Sequence, residues 1–172
     1  MKIKNSVSFN VDHSRLKRGI YLSRIDTMKD INTVTLDLRL RVPYKEDIIS
    51  NKELHTFEHC FATAVRNMTE ETDSVAVAYF GPMGCQTGYY LVFNTTESDE
   101  HRYFDMFYDI LKKSCGYVKG MTEVPAKNEL QCGNCYSLGE TADAVKAAEE
   151  LEELVDEMKQ LGGFHKYSFI ED

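Results

Sequence analysis

The chain has no uninterrupted apolar run of the roughly 18 residues that a membrane-spanning helix needs. No apolar signal core follows Met1-Lys2-Ile3-Lys4, where polar Asn5 and Ser6 come next. Both absences point to a cytoplasmic protein. Positive charge is in deficit: 20 Lys and Arg stand against 28 Asp and Glu, a net charge of -8. A surface of that sign disfavours nucleic acid or an anionic membrane as the main partner. An even cysteine complement is also lacking, since there are five. An odd count in a reducing compartment favours free thiols, metal ligands or catalytic groups over a disulfide framework. No internal repeat or low-complexity linker is found. The 172 residues therefore suit one domain, 1–172, with 162–172 reading as a C-terminal extension. A chain of this length buries roughly 70% of its unfolded surface and needs no covalent staple.

What is present is organised around His55-Thr56-Phe57-Glu58-His59. On a helix each residue advances about 100°, so positions 55, 58 and 59 share one face. That face offers two imidazoles and a carboxylate to one point in space. Imidazole nitrogen suits a first-row divalent metal, and a carboxylate beside such a metal is placed to move protons. Ser50, followed three residues on by Glu53, gives this helix a capping-box start, and Leu54, Phe57, Phe61, Ala62 and Val65 supply its packing face. Cys60 falls among them as a core residue.

The rest of the chain supplies a scaffold. Val7, Phe9 and Val11 alternate with polar residues and predict a short strand or extended arm, closed by His13, which spacing alone makes a surface histidine. Residues 14–30 read as basic and irregular. Val34, Leu36, Leu38, Leu40 and Val42 alternate with polar partners and predict a half-buried strand ended by Pro43, with Arg39 and Arg41 on the polar face. Ser74–Phe80 and Tyr89–Phe93 predict two neighbouring strands around the turn 81–88, which is rich in glycine. A helix opens at Ser98-Asp99-Glu100 and ends near Gly116. A long loop spans 117–139, and a helix rich in Glu and Ala runs from Thr141 to Leu161, stopped by Gly162-Gly163. Strands and helices do not alternate strictly, so the fold class is α+β.

The H-x-x-E-H spacing is that of the inverzincins, whose third ligand is a distant glutamate. A cysteine is the better third ligand here, because thiolate binds iron(II), cobalt and zinc tightly. The candidates are Cys132, Cys135 and Cys85. Cys132 and Cys135 form C-x-x-C, which admits three readings: a closed structural His2Cys2 zinc site, a redox pair, or one ligand with an incidental neighbour.

Four blocks carry a resemblance: S-F-N-V-D-H at 8–13, H-T-F-E-H at 55–59, G-P-M-G-C-Q-T-G-Y-Y at 81–90 and P-A-K-N-E-L-Q-C-G-N at 125–134. In order and spacing they resemble the signature blocks of the S-ribosylhomocysteine lyase (LuxS) family, over about residues 6–155. The resemblance implies an antiparallel sheet with helices packed mainly on one face, of metallohydrolase-like type. It implies His55, His59 and Cys132 as ligands of one divalent metal per subunit, iron(II) natively, with zinc or cobalt as replacements. Cys85 and Glu58 match the catalytic cysteine and glutamate. Ser8, His13 and Arg39 match substrate-contacting positions, and Cys135 matches no ligand. The implied reaction cleaves S-ribosylhomocysteine to homocysteine and 4,5-dihydroxy-2,3-pentanedione, the precursor of autoinducer-2. It serves activated-methyl recycling and quorum signalling. The implied assembly is a homodimer with active sites at the interface.

That chemistry agrees with the residues: a cation acidifies a carbon beside a sugar carbonyl, a thiolate at Cys85 shuffles protons, and Glu58 removes the last one. The chain departs from the pattern at Tyr79 and Gly81, where the family usually has an acidic residue and a serine, and at 17–24, K-R-G-I-Y-L-S-R. An inverzincin-like metallopeptidase and a non-catalytic protein with a structural zinc are the alternatives.

Overall fold

The computed structural model describes residues 7–70 and 72–170. Four antiparallel strands form one sheet: β1 (Gly19–Met28), β2 (Ile31–Arg39), β3 (Val75–Pro82) and β4 (Gly88–Thr95), in the order β1-β2-β4-β3. Helices α1 (Asn51–Thr69), α2 (Glu100–Lys119) and α3 (Thr141–Leu161) pack together on one face of it. The architecture is α+β, with the helices on one side.

The core follows from two periodicities meeting. Alternate β2 residues Val34, Leu36 and Leu38 point at the helices and are fully buried, joined by Leu91 and Phe93 of β4. From the other side come Phe57 and Phe61 of α1, Phe107 and Leu111 of α2, and Leu151 and Val155 of α3. Phe57, Phe61, Phe80 and Tyr89 form one ring cluster, with centroids 4.8–6.0 Å apart. Each such ring stabilises by about 2–3 kcal/mol through area removed from water. This cluster fixes the rotation of α1 about its axis, and so decides where His55, Glu58 and His59 point. The helix start is closed by the expected capping box: Glu53 N donates to Ser50 Oγ and Ser50 N to Glu53 Oε2, both at 3.2 Å.

Three local readings are corrected. Residues Val7–Asn10 form a 3-10 turn rather than a strand, and Val11 alone bridges to Phe169; residues 1–6 lie outside the described residues. Residues 14–30 are not irregular, for β1 occupies Gly19–Met28. Its alternation was hidden by an irregularity between Leu22 and Arg24 and by an outer half that faces water. The second helix runs past Gly116 to Lys119 and is capped by Gly120.

The sheet's other face is covered at one end by the chain's own C-terminus. Gly162, in the left-handed conformation, ends α3 and turns the chain back. His165 N then donates to Ile20 O (2.9 Å), Asp12 N to Ser168 O (2.8 Å) and Ile170 N to Asn10 O (2.8 Å). Tyr167 stacks on Tyr21 with centroids 4.7 Å apart.

At Gly88 the space for a side chain is taken by the backbone of β2. A Cβ there would lie 2.2 Å from the Leu38 carbonyl oxygen, a backbone atom that cannot give way cheaply. Gly88→Ala is expected to destabilise the fold by about 2 kcal/mol, in the range of overpacked cores. Urea unfolding measures this, and an unchanged midpoint would contradict the close approach.

Candidate metal centre and neighbouring thiol

His55 and His59 stand one turn apart on α1, with ring centroids 4.7 Å apart and the rings nearly perpendicular. The loop between α2 and α3 folds over them. Gly139 N donates to Thr56 Oγ1 (2.7 Å) and Lys127 Nζ to Gly139 O (2.7 Å), which pins that loop to the helix. Cys132 is thereby delivered to the histidines. Donor atoms of His55, His59 and Cys132 all lie within 4.8 Å of one another.

The hydrogen bonds fix the state of these donors. His59 Nδ1 lies 2.9 Å from the Pro125 carbonyl, which only accepts, so Nδ1 carries the proton. Ser137 Oγ donates to Asn134 O (2.9 Å) and therefore accepts from His55 Nδ1 at 2.6 Å. Both imidazoles thus keep a lone pair on Nε2, the atom a metal needs. Burial, the neighbouring His59 and, in the opposite sense, Glu58 together hold His55 below its ordinary pKa, in the neutral form that ligates. Asn134 N donates to Cys132 Sγ (3.4 Å), which orients the sulfur. Two imidazoles in one tautomer and one oriented sulfur are a donor set that fits a divalent metal and leaves a fourth position for another ligand. Glu58 shares the helix face and is half-buried, and among the described residues no side chain hydrogen-bonds to it.

Cys135 does not join this group among the described residues, so a closed His2Cys2 site is not what the geometry builds. No carboxylate joins it either, which removes the inverzincin ligand set.

A second cluster lies on the turn between β3 and β4. Leu40 N and Arg41 N donate to Thr87 O at 3.0 and 2.9 Å, and Ile49 N donates to Gln86 O at 2.9 Å. The Cys85 turn is thus tied to the end of β2 and to the segment that starts α1. Burial pushes the Cys85 thiol up, but Thr87 at 3.1 Å and the Arg39 guanidinium at 3.6 Å outweigh it, and the thiol sits below its ordinary range. Arg39 is not a solubilising residue: its side chain is 2% exposed. It forms a two-point pair with Asp37, Nη2 to Oδ2 at 2.6 Å and Nε to Oδ1 at 3.2 Å. Arg41, by contrast, pairs with Glu150 of α3.

His13 is half-buried, with Nδ1 2.8 Å from Val11 O. Ser8 lies in the Val7–Asn10 turn, and its side chain falls outside the described part of the structure. Sequence reasoning missed Asp37, Ser137 and Tyr167. Asp37 was within reach, because it stands two residues before Arg39 on the same strand face. Ser137 and Tyr167 carry no local signal.

Tyr79 is half exposed and lies over Gly81: a Cβ on Gly81 would meet the Tyr79 hydroxyl oxygen at 2.1 Å. The same outer face of the sheet holds a concavity of about 470 Å³ lined by Val11, Tyr79, Tyr90, Tyr167 and Phe169, away from the histidine–cysteine group.

An α+β scaffold that brings two oriented imidazoles and a cysteine sulfur together, and holds a second, polarised thiol on the turn between β3 and β4, has a His2Cys group of the kind that binds a metal ion. The model of the LuxS family, S-ribosylhomocysteinase, matches residues 7–161, and the chain belongs to that family. It is similar to the S-ribosylhomocysteine lyase of Borreliella burgdorferi strain ZS7, with 37% identity over 134 residues that cover 77% of this chain and 80% of that one. The lyase of Desulfotalea psychrophila is 36% identical over 144 residues, 83% and 84% of the two chains. That of Porphyromonas gingivalis strain W83 is 33% identical over 150 residues, 87% and 90%.

If Ser137 orients His55, Ser137→Ala weakens cobalt(II) binding about 10- to 100-fold, as partners behind metal ligands do. Cys132→Ala abolishes the thiolate-to-cobalt absorption band, and Cys135→Ala retains it. Loss of the band in Cys135→Ala would restore the closed four-ligand site.

Proposed function

We propose that the protein cleaves S-ribosylhomocysteine to homocysteine and 4,5-dihydroxy-2,3-pentanedione, by carbonyl migration along the sugar followed by β-elimination. The observation that carries this is the convergence of His55, His59 and Cys132 in a chain of the LuxS family. These three residues would hold one divalent metal, iron(II) by preference, with zinc or cobalt as substitutes. When bound, the cation supplies Lewis acidity toward the sugar oxygens, which makes the adjacent C–H groups easier to deprotonate.

The proton work belongs to two side chains. Cys85, as thiolate, takes a proton from one sugar carbon. As thiol it returns a proton to the neighbouring carbon, so that the carbonyl moves one position at a time until it reaches carbon three. The sulfur-bearing carbon five is then β to the carbonyl. Glu58 as carboxylate removes the proton on carbon four, the electron pair forms the C4–C5 double bond, and the C5–S bond breaks. The pair leaves on sulfur, which takes up a proton to give homocysteine. The remaining enol tautomerises to the dione. Arg39, with Ser8 and His13, is assigned to holding the substrate, and Arg39 also keeps Cys85 anionic between transfers. The dione cyclises into autoinducer-2, so both recycling of activated-methyl by-products and signalling follow from one reaction.

The working unit is read as one domain over 1–172, its last residues an extension, acting as a cytoplasmic homodimer. Supporting the pairing is exposed apolar surface beside the metal group: Leu130 is 98% and Tyr136 83% exposed, both on the loop that carries Cys132. No described helix is long and apolar enough to cross a membrane.

Anaerobic protein loaded with iron(II) or cobalt(II) should release free thiol from S-ribosylhomocysteine, and failure to do so would end this reading. Cys85→Ser and Glu58→Gln are each expected to lower kcat by a factor of at least about 100, the weight of a general acid–base group. Because Arg39 favours the thiolate, kcat/KM should rise with pH through a pKa below the ordinary thiol range. Arg39→Ala should move that limb to higher pH. A limb that stays in place assigns the titration to another group.

A further inference from the structure

We propose that Tyr167, on the C-terminal segment beyond the family match, is a positioning residue for Cys85 that acts through Asp37 and Arg39. The family match covers residues 7–161, and the segment that follows lies outside it. Yet the chain returns from Gly162 across the sheet and places the Tyr167 hydroxyl 2.9 Å from Asp37 Oδ2. That oxygen is also the one gripped by Arg39 Nη2, and the same guanidinium reaches Cys85 and Thr87 through Nη1. The connection is continuous: Tyr167, Asp37, Arg39, Cys85.

Each member is constrained to pass the effect on. Asp37 and Arg39 are almost wholly buried, so water does not substitute for a lost partner. Burial, above all, and the Asp37 charge beside it hold the Tyr167 hydroxyl far above its ordinary pKa, so it remains a neutral donor. A donor on Asp37 takes up part of the carboxylate's charge and leaves more of the Arg39 positive field for the thiol. Without it, Asp37 draws on Arg39 alone. The ionisable groups gathered around Cys85 are Arg39 and, behind or beside it, Asp37 and Tyr90 of the adjoining strands; His13 faces Asp37 from the segment before β1.

The placement of Tyr167 is itself built. Its ring stacks on Tyr21 in nearly parallel planes, 4° apart. Backbone hydrogen bonds on both sides hold it, from His165 to Ile20 and between Ser168 and Asp12. The second of these also fastens the segment that carries His13, so one stretch of tail braces two parts of the site.

The inference rests on the reading of Cys85 as the proton carrier, and the test separates the two. Tyr167→Phe keeps the ring and its stacking and removes only the hydroxyl. In the metal-loaded protein, the rate of Cys85 alkylation by iodoacetamide, read by peptide mass mapping, gives the thiol titration directly. Tyr167→Phe should lower that rate at neutral pH about three- to tenfold, the weight of one charge-assisted hydrogen bond passed on in part. The rising limb of kcat/KM should move to higher pH in parallel, with the thermal midpoint little changed. Lys166→Ala, an exposed position on the same segment, should leave all three readouts alone. An alkylation profile in Tyr167→Phe that superimposes on wild type overturns the inference, whatever happens to turnover. Cys85→Ser with full turnover overturns the proton-carrier reading instead, and the alkylation profile still decides on Tyr167.

Discussion

Two hydrogen bonds to imidazole Nδ1 atoms decide what the centre of this molecule can be. Pro125 takes the proton side of His59, and Ser137 takes that of His55. Both partners belong to the loop between α2 and α3, and that loop also brings Cys132. Ligand placement and ligand tautomer are therefore one structural event. If the loop lifts, the third donor leaves, and the two histidines lose the restraint that keeps Nε2 available. The short 3-10 turn at Cys135–Ser137 and the bond from Gly139 to Thr56 are the local means of holding it.

The outer face of the sheet carries the opposite kind of cost. Burying Asp37 and Arg39 together takes two charges out of water, and such pairs are weak contributors to stability. Replacement by apolar residues of similar size would cost the fold little. Their presence is better explained by what the arginine does at its far end, where it lies against Cys85 and Thr87. A surface arginine screened by water could not shift a thiol in this way. Burial is what makes the charge effective.

Much of this was legible in the sequence, and the exceptions have physical causes. The helix with His55, Glu58 and His59 declared itself through its cap and its 3.6-residue apolar stripe, and β2 through strict alternation. The third ligand was not decided by spacing, because Cys132 and Cys135 are equivalent in the pattern and only the loop's path separates them. β1 was missed because an edge strand with a bulge and a wet outer half carries little alternation. Arg39 on a polar strand face looks solvated to any pattern rule. Its partners include residues far away in the chain, Cys85 and Thr87 among them, and no local signal reports that.

The contact between Tyr79 and Gly81 ties the shape of the outer face to a position with no side chain. The tyrosine hydroxyl lies in the space that a Cβ at 81 would take, and it is the far end of a flexible, half-exposed side chain. A side chain at 81 is therefore admitted only if the ring swings aside. Tyr79 also lines the concavity on that face, so the swing would redraw the concavity's wall. The glycine thus acts as a silent partner, setting by its emptiness where the ring rests.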